Sequence, residues 1–483
     1  MSTRKIAEST LWQMASQFGM AALSILTVKF VAIGLTKELA GYYNSSYGYL
    51  QVFGILADFG LYAIAVREVA RAKNRAEVLG GLIILRCIIL FLSLSLALAL
   101  AWILPMWRGT PLPLGVTIAA FVPFFTLLAG ILRTVFQVHY KMHYVFIAEV
   151  THRAITTGLI GLFILWGIRQ TSDVRIMYAF LAIGGIGAFT LYLLSMFFGN
   201  RLQRIRPRWD SALLGRLART AAPYGLAFLC MALYRQFDVT LIALLRSDFE
   251  LQNAYYGFVL RMTDMAFLIP TFLLNSVLPT LSQSHEKGEE TRSMLGKTFL
   301  LLLVLGSISS LFSYFWARPL IALLTTEQYL STPTQAGSDI ALQLLSAPIF
   351  LNGIVLYSFY VLLTRHAWRR LVLLLGAGAF LSVGLNLLLI PDYGFLGACL
   401  TSIFVHGVLA LTLLPASQKV LPLMLSLADV LRWIAFTILL GALLALSAPL
   451  LTDSLRTIIG LGLAGGAILG LAEILKIRRA VGF

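Results

Sequence analysis

The sequence predicts an all-α membrane protein of about fourteen transmembrane helices. Two six-helix lobes in a parallel pseudo-two-fold repeat surround a central cavity, and two additional helices follow at the C-terminal end. Three observations predict this. Apolar runs of about 18 to 28 residues recur along the whole chain, and at about 1.5 Å per residue each crosses about 30 Å of hydrocarbon. Hydrophobic residues make up 59% of the 483 and charged residues 12%, with a mean hydropathy of +0.87, a balance that excludes a soluble globule of this length. Finally, the basic residues gather in alternate connections.

The apolar runs lie near 10–35, 43–66, 79–104, 115–138, 145–167, 175–198, 220–245, 254–281, 295–316, 339–363, 371–391, 395–415, 431–450 and 455–475. The first is too long for a signal peptide and has no prompt cleavage site, so it is expected to stay as a helix. With the N-terminus inside, 25 of the 37 Lys and Arg residues fall in inner connections and seven in outer ones. Under the positive-inside rule both termini are then cytoplasmic, in the inner membrane. Much of the formal net charge of +16 is therefore topology, and no nucleic-acid partner is expected. Cys87, Cys230 and Cys399 sit within apolar runs, which argues against a disulfide framework or a thiolate metal site.

The longest basic connection runs from Gly199 to Thr220 and holds Arg201, Arg204, Arg206, Arg208, Arg216 and Arg219. It is expected to separate an N-terminal lobe, 1–210, from a C-terminal lobe, 211–416, with the last two helices in 417–483. A faint echo supports duplication: Gly41, Tyr42 and Tyr43 open the second run as Ala254, Tyr255 and Tyr256 open the eighth. Because six is even, a repeated six-helix unit keeps its orientation, which gives parallel repeats about an axis along the membrane normal.

Charges inside the runs are the candidate site, because an intramembrane ionisable group is costly and usually faces a bundle interior or a watered cavity. Arg235 with Asp238 and Arg261 with Asp264 are each spaced i, i+3, on one face of a continuous helix. Mutual neutralisation is the simpler account of each pair. Lys29, Arg86 and Arg153 are further basic residues within runs. Lys29 is within snorkelling reach of the outer interface, and Arg86 is placed to anchor at the inner one. Glu149 and Arg153 have the spacing of an intrahelical ion pair, with His152 between them. His406 reads as a packing residue. A cavity lined by Arg235, Arg261, Lys29, Arg153 and Arg86 suits a phosphate-bearing cargo, since guanidinium groups hold phosphate oxygens bidentately. The carboxylates Asp58, Asp238, Asp264 and Glu149 are candidates for ion coupling, with H+ or Na+ as the coupling ion. The sequence contains no phosphate-binding GxxxxGK loop, no HExxH and no metal-spaced Cys/His cluster, so neither an enzyme nor a cofactor is expected.

The segment from Gln17 to Arg71, above all Ala57 to Leu61 (ADFGL) with Arg67 and Glu68, resembles the opening of the polysaccharide biosynthesis proteins. Asn386 to Pro391 (NLLLIP) and Tyr393 to Ala398 (YGFLGA) are similar to that family's later block, and Pro223, Asp238, Tyr256, Pro270 and Pro279 to its second half. The chain departs from the family pattern at Gly34 to Gly41, where Lys37 stands in the basic position. The resemblance implies a flippase for lipid-linked oligosaccharides within the multidrug/oligosaccharidyl-lipid/polysaccharide exporter (MOP) superfamily. It would move an undecaprenyl-pyrophosphate-linked unit from inner to outer leaflet by alternating access, coupled to an ion gradient or the membrane potential. The implied partners are the lipid-linked glycan and membrane lipids, with a glycan polymerase or glycosyltransferases as further candidates. A multidrug/cation antiporter of the same superfamily and a non-transporting scaffold for glycan synthesis are the alternatives.

Overall fold

The computed structural model describes residues 3–205, 207, 209–283, 288–365, 367–477 and 480. Arg206 and Arg208 of the basic connection lie outside them. The described residues are helical apart from turns and two isolated bridges, Leu35 with Thr171 and Thr332 with Gln335. In hydrocarbon every backbone N–H and C=O must find a partner within the protein, and a helix provides it without a second segment.

Two compact units divide the chain at Gly257 and Phe258. The first holds α1 (Thr3–Gly34), α2 (Lys37–Asp58), α3 (Leu61–Arg71), α4 (Arg75–Ile103), α5 (Leu112–Ala119), α6 (Phe121–Val138), α7 (Met142–Leu165), α8 (Val174–Leu202), α9 (Ser211–Arg235), α10 (Asp238–Leu245) and the beginning of α11 (Phe249–Gln283). The second holds the rest of α11, then α12 (Gly288–Phe315), α13 (Ala317–Leu324), α14 (Ser338–Thr364), α15 (Trp368–Tyr393), α16 (Phe395–Val420), α17 (Leu427–Ser447) and α18 (Ser454–Ile474). Twelve helical stretches among the described residues are long and apolar enough to cross a membrane, each overlapping an expected run, although Ser211–Arg235 begins nine residues before the run 220–245, whose remainder is in α10. Of the other two runs, 43–66 is divided between α2 and α3, and 254–281 lies in α11, where the side chains of 275–291 are outside the description.

In the second unit the two last helices are not an idle appendage. Phe436, Leu440 and Leu444 of α17 and Ala464 of α18 form one buried cluster with Leu300 and Val304 of α12 and with Trp316. The Trp316 indole donates to the Leu444 carbonyl at 3.0 Å, and that of Trp433 donates to Ser307 Oγ at 3.0 Å. Such polar contacts orient helices where lipid offers no hydrophobic drive for their association.

Within the first unit, α3, α4, α6 and α9 share a core of Leu61, Ile64, Leu79, Leu82, Ile131, Val135, Leu217 and Ala221. The connection between α2 and α3 is pressed onto α9. Phe59 (φ 44°) and Gly60 (φ 71°) both take left-handed backbone. A Cβ on Gly60 would come 2.5 Å from the Gly225 nitrogen, and one on Gly225 would come 2.8 Å from the Phe59 carbonyl oxygen. Only glycine accepts both the backbone conformation and the approach. Gly60→Ala is therefore expected to lower stability by about 2 kcal/mol, measured as a lower melting temperature in detergent.

The internal echo is a contact in the structure. Tyr42 and Tyr255 are equivalents at an offset of 213 residues (255 less 42), and the same offset relates Lys37 to Glu250 and Asn44 to Gly257. Lys37 Nζ donates to the Tyr255 hydroxyl at 3.1 Å, while Glu250, the equivalent of Lys37, faces Tyr42, the equivalent of Tyr255. Asn44 meets its own equivalent: a Cβ on Gly257 would lie 2.6 Å from Asn44 Cβ. These contacts lie at the crossing of α2 and the start of α11, all within the first unit.

Candidate functional site

Asp58, Arg86 and Arg235 are brought to one place in the first unit. A cavity of about 320 Å³ lies between α2 with α3 on one side and α9 on the other. Ile55, Asp58, Tyr62, Phe228, Met231, Ala232, Arg235 and Gln236 line it. Helix ends supply its polar groups. Asp58 is the last residue of α2, and Arg235 is the last of α9.

A carboxylate at the C-terminus of a helix meets the negative end of the macrodipole and needs a counter-charge. Arg86 supplies it from α4. Its Nη2 donates to Asp58 Oδ1 at 2.6 Å, and its Nη1 donates to the Ala57 carbonyl at 3.2 Å, one of the terminal carbonyls of α2. The guanidinium group is wholly buried, whereas the Asp58 side chain remains 25% exposed. Arg86 therefore closes the end of α2 and occupies the carboxylate that faces the cavity.

Arg235 and Asp238 do not lie on one continuous helix as their spacing predicts. The helix ends at Arg235, Gln236 leaves the helical path, and α10 begins at Asp238. Each charge then suits its own helix end, positive at the C-terminus of α9 and negative at the N-terminus of α10. Asp238 is 2% exposed and accepts a hydrogen bond from the Tyr256 hydroxyl at 2.8 Å. Gln236, in the break, turns to the cavity, and its Oε1 is buried with no hydrogen-bond partner among the described residues. Tyr62 lines the cavity with its hydroxyl accepting from Gln137 Nε2 at 3.1 Å.

The remaining candidates are not among the residues that line this cavity. Glu149 of α7 accepts from Arg133 Nη1 of α6 at 2.8 Å and from Ser16 Oγ of α1, so it joins three helices. Arg133, which falls in the run 115–138, is inside α6. Lys29 in α1 and Arg153 in α7 are half-buried. Arg261 and Asp264, one turn apart in α11 and half-buried, belong to the second unit. His406 is buried and bonds the Ser402 carbonyl of its own helix through Nδ1 at 2.8 Å. Among the described residues no group of His, Cys, Asp and Glu is arranged to hold a metal ion. The sequence reading missed Tyr62 and Gln236. Gln236 carried a signal, a second polar side chain beside Arg235 in an apolar run, whereas Tyr62 carried none.

A family model described as polysaccharide biosynthesis protein matches residues 6–285. No curated protein matches the chain in sequence. Among solved structures, the lipid II flippase MurJ in an inward closed conformation is 12% identical, with 96% of this chain and 98% of that one covered and a TM-score of 0.72. An inward-facing multidrug-resistance transporter of the MATE family is 14% identical over 86% of this chain and 95% of that one, with a TM-score of 0.60. A MOP-superfamily transporter from Pyrococcus furiosus, described as having a binding pocket of reverse polarity, is 14% identical over 86% and 92%, with a TM-score of 0.56. At these identities the likeness is one of fold. With the family model covering more than half of its length, the chain belongs to the polysaccharide biosynthesis protein family and has the fold of the MOP-superfamily transporters.

Proposed function

We propose that the protein is a flippase for a glycan linked to undecaprenyl pyrophosphate, and that Arg235 contacts the diphosphate in the cavity beside α9. One observation carries the reading. Arg235 lines a mainly apolar cavity whose one carboxylate, Asp58, is already held by Arg86. The volume of about 320 Å³ suits a headgroup rather than a whole repeat unit. A guanidinium group in such surroundings binds phosphate oxygens more strongly than it would in water. Gln236 offers a carboxamide with unused hydrogen-bonding capacity, which supports a polar cargo. Coupling to a proton or sodium gradient belongs to the same proposal, with Asp58, Asp238, Asp264 and Glu149 as the carboxylates to test.

The test is leaflet exchange of a labelled undecaprenyl-pyrophosphate-linked sugar in vesicles containing only this protein. Arg235→Gln is expected to slow exchange at least tenfold with the protein still inserted, a loss in keeping with one charge-assisted contact of about 1.5 to 3 kcal/mol. Exchange at the wild-type rate by this variant rejects Arg235 as the contact. Absence of exchange by the wild-type protein in either direction of an imposed gradient rejects the flippase reading. Export of cationic dyes in its place favours the antiporter.

A further inference from the structure

The basic stretch expected as a connection between Gly199 and Thr220 is helical over 199–202 in α8 and over 211–220 in α9, which places Arg216 and Arg219 on a helix, and the cargo cavity uses none of it. Its charge continues into α9 along a single face. Ser211, Ala212, Gly215, Arg216, Arg219 and Thr220 line an open depression of about 470 Å³ on that face. They recur at i, i+3 and i+4, whereas Leu214, Leu217 and Ala221 on the other side of the helix are buried in the core shared with α3, α4 and α6. Small residues make the depression: Ala212 is exposed, and a Cβ on Gly215 would meet nothing within 4 Å. Arg216 and Arg219 rim it, both exposed. Asp210 is the acidic residue nearest in sequence, and its side chain is occupied in capping α9, accepting from the Ala212 and Leu213 nitrogens at 3.0 and 3.1 Å.

The same face changes character one turn further on. Pro223 and Leu226 follow Arg219 at i+4 and i+7, and both are exposed, Leu226 by 48%. At 100° per residue the cavity-lining Phe228 and Arg235 point to the other side of α9, so this face is separate from the cargo site. Trp209, 69% exposed, stands just before the helix, where an amphipathic ring sits at headgroup level. Along one helix the exterior thus offers a polar rim, two guanidinium groups and then apolar surface.

We propose that this face of α9 binds an anionic phospholipid of the leaflet at that end of the helix. Its phosphate lies between Arg216 and Arg219, and its acyl chain runs along Pro223 and Leu226. The charge sequence selects a lipid over a free anion, because half of the surface has no use in holding phosphate alone. Positive-inside topology assigns this end to the cytoplasmic leaflet, where anionic headgroups attract basic side chains next to a membrane helix. The proposal does not depend on what the protein carries.

The experiment titrates delipidated protein with phosphatidylglycerol or phosphatidylcholine and counts retained lipid by native mass spectrometry. Wild-type protein is expected to retain phosphatidylglycerol in preference to phosphatidylcholine. The double variant Arg216→Gln, Arg219→Gln is expected to lose about thirtyfold in that affinity, from two charges at the surface. Arg216→Lys with Arg219→Lys keeps both charges and is expected to stay within about threefold, which separates lost attraction from a folding defect. Millimolar inorganic phosphate is expected to leave the lipid in place. Equal retention of the two lipids, undiminished phosphatidylglycerol binding by the Gln variant, or displacement of the lipid by inorganic phosphate would each overturn the proposal.

Discussion

Arg86→Leu is expected to destabilise the protein by about 3 to 5 kcal/mol, the largest effect of any single change at the site. The substitution leaves Asp58 as an uncompensated carboxylate at the negative end of α2 and returns the Ala57 carbonyl to an unsatisfied state. It should appear as a large fall in melting temperature in detergent and a low yield of inserted protein. Arg86→Leu combined with Asp58→Asn removes the unpaired carboxylate as well as its partner, and should recover most of the loss, since replacing a whole ion pair costs far less than breaking one. Failure of the double variant to recover would mean that Arg86 acts mainly by packing.

Gly41→Leu is expected to be nearly as damaging, for a steric reason. A Cβ at Gly41 would fall 1.7 Å from the Glu250 carbonyl oxygen, 2.5 Å from its carbon and 2.8 Å from its Cα. These are backbone atoms of a helix and cannot turn aside, so α2 and the start of α11 must separate. The separation also costs the bonds from Asn44 Nδ2 to the Asn253 carbonyl at 3.2 Å and from Asn253 Nδ2 to Ser45 Oγ at 2.9 Å. A loss of about 3 kcal/mol or more follows, at the upper end for overpacking. Gly462→Leu is the control. Gly462 in α18 has nothing within 4 Å of an added Cβ, and the change should stay within about 0.5 kcal/mol. Equal melting temperatures for the two variants would show that the α2 and α11 crossing is looser than the distances indicate.

The fold was legible because a bilayer leaves few choices, so each long apolar run had to become a helix. Arg235, Asp58 and Arg86 were legible as candidates by their position within such runs. Their roles were not. Periodicity carried Arg235 and Asp238 along one helix, but the chain leaves the helical path at Gln236, and spacing arguments fail where a helix ends. The break at Phe59 and Gly60 depends on α9 passing close to its backbone, which nothing local encodes. Partners between helices were equally hidden. Glu149 has Arg153 at helical spacing in the sequence, yet Arg133 and Ser16 come to it from two other helices. Tyr256 was noticed as part of an echo, and its hydrogen bond to Asp238 required the coordinates.

The crossing of α2 and α11 also bears on what duplication within one polypeptide permits. An interface between two identical subunits must carry the same side chain at both symmetric places, so any ionised group near the axis is met by a like one. A single chain containing both copies is free of that constraint. Here lysine stands at residue 37 and glutamate at residue 250, each beside a tyrosine of the other helix. The two positions of the echo thus differ in sign, and exchanging either residue for the other would leave two like charges at the same crossing.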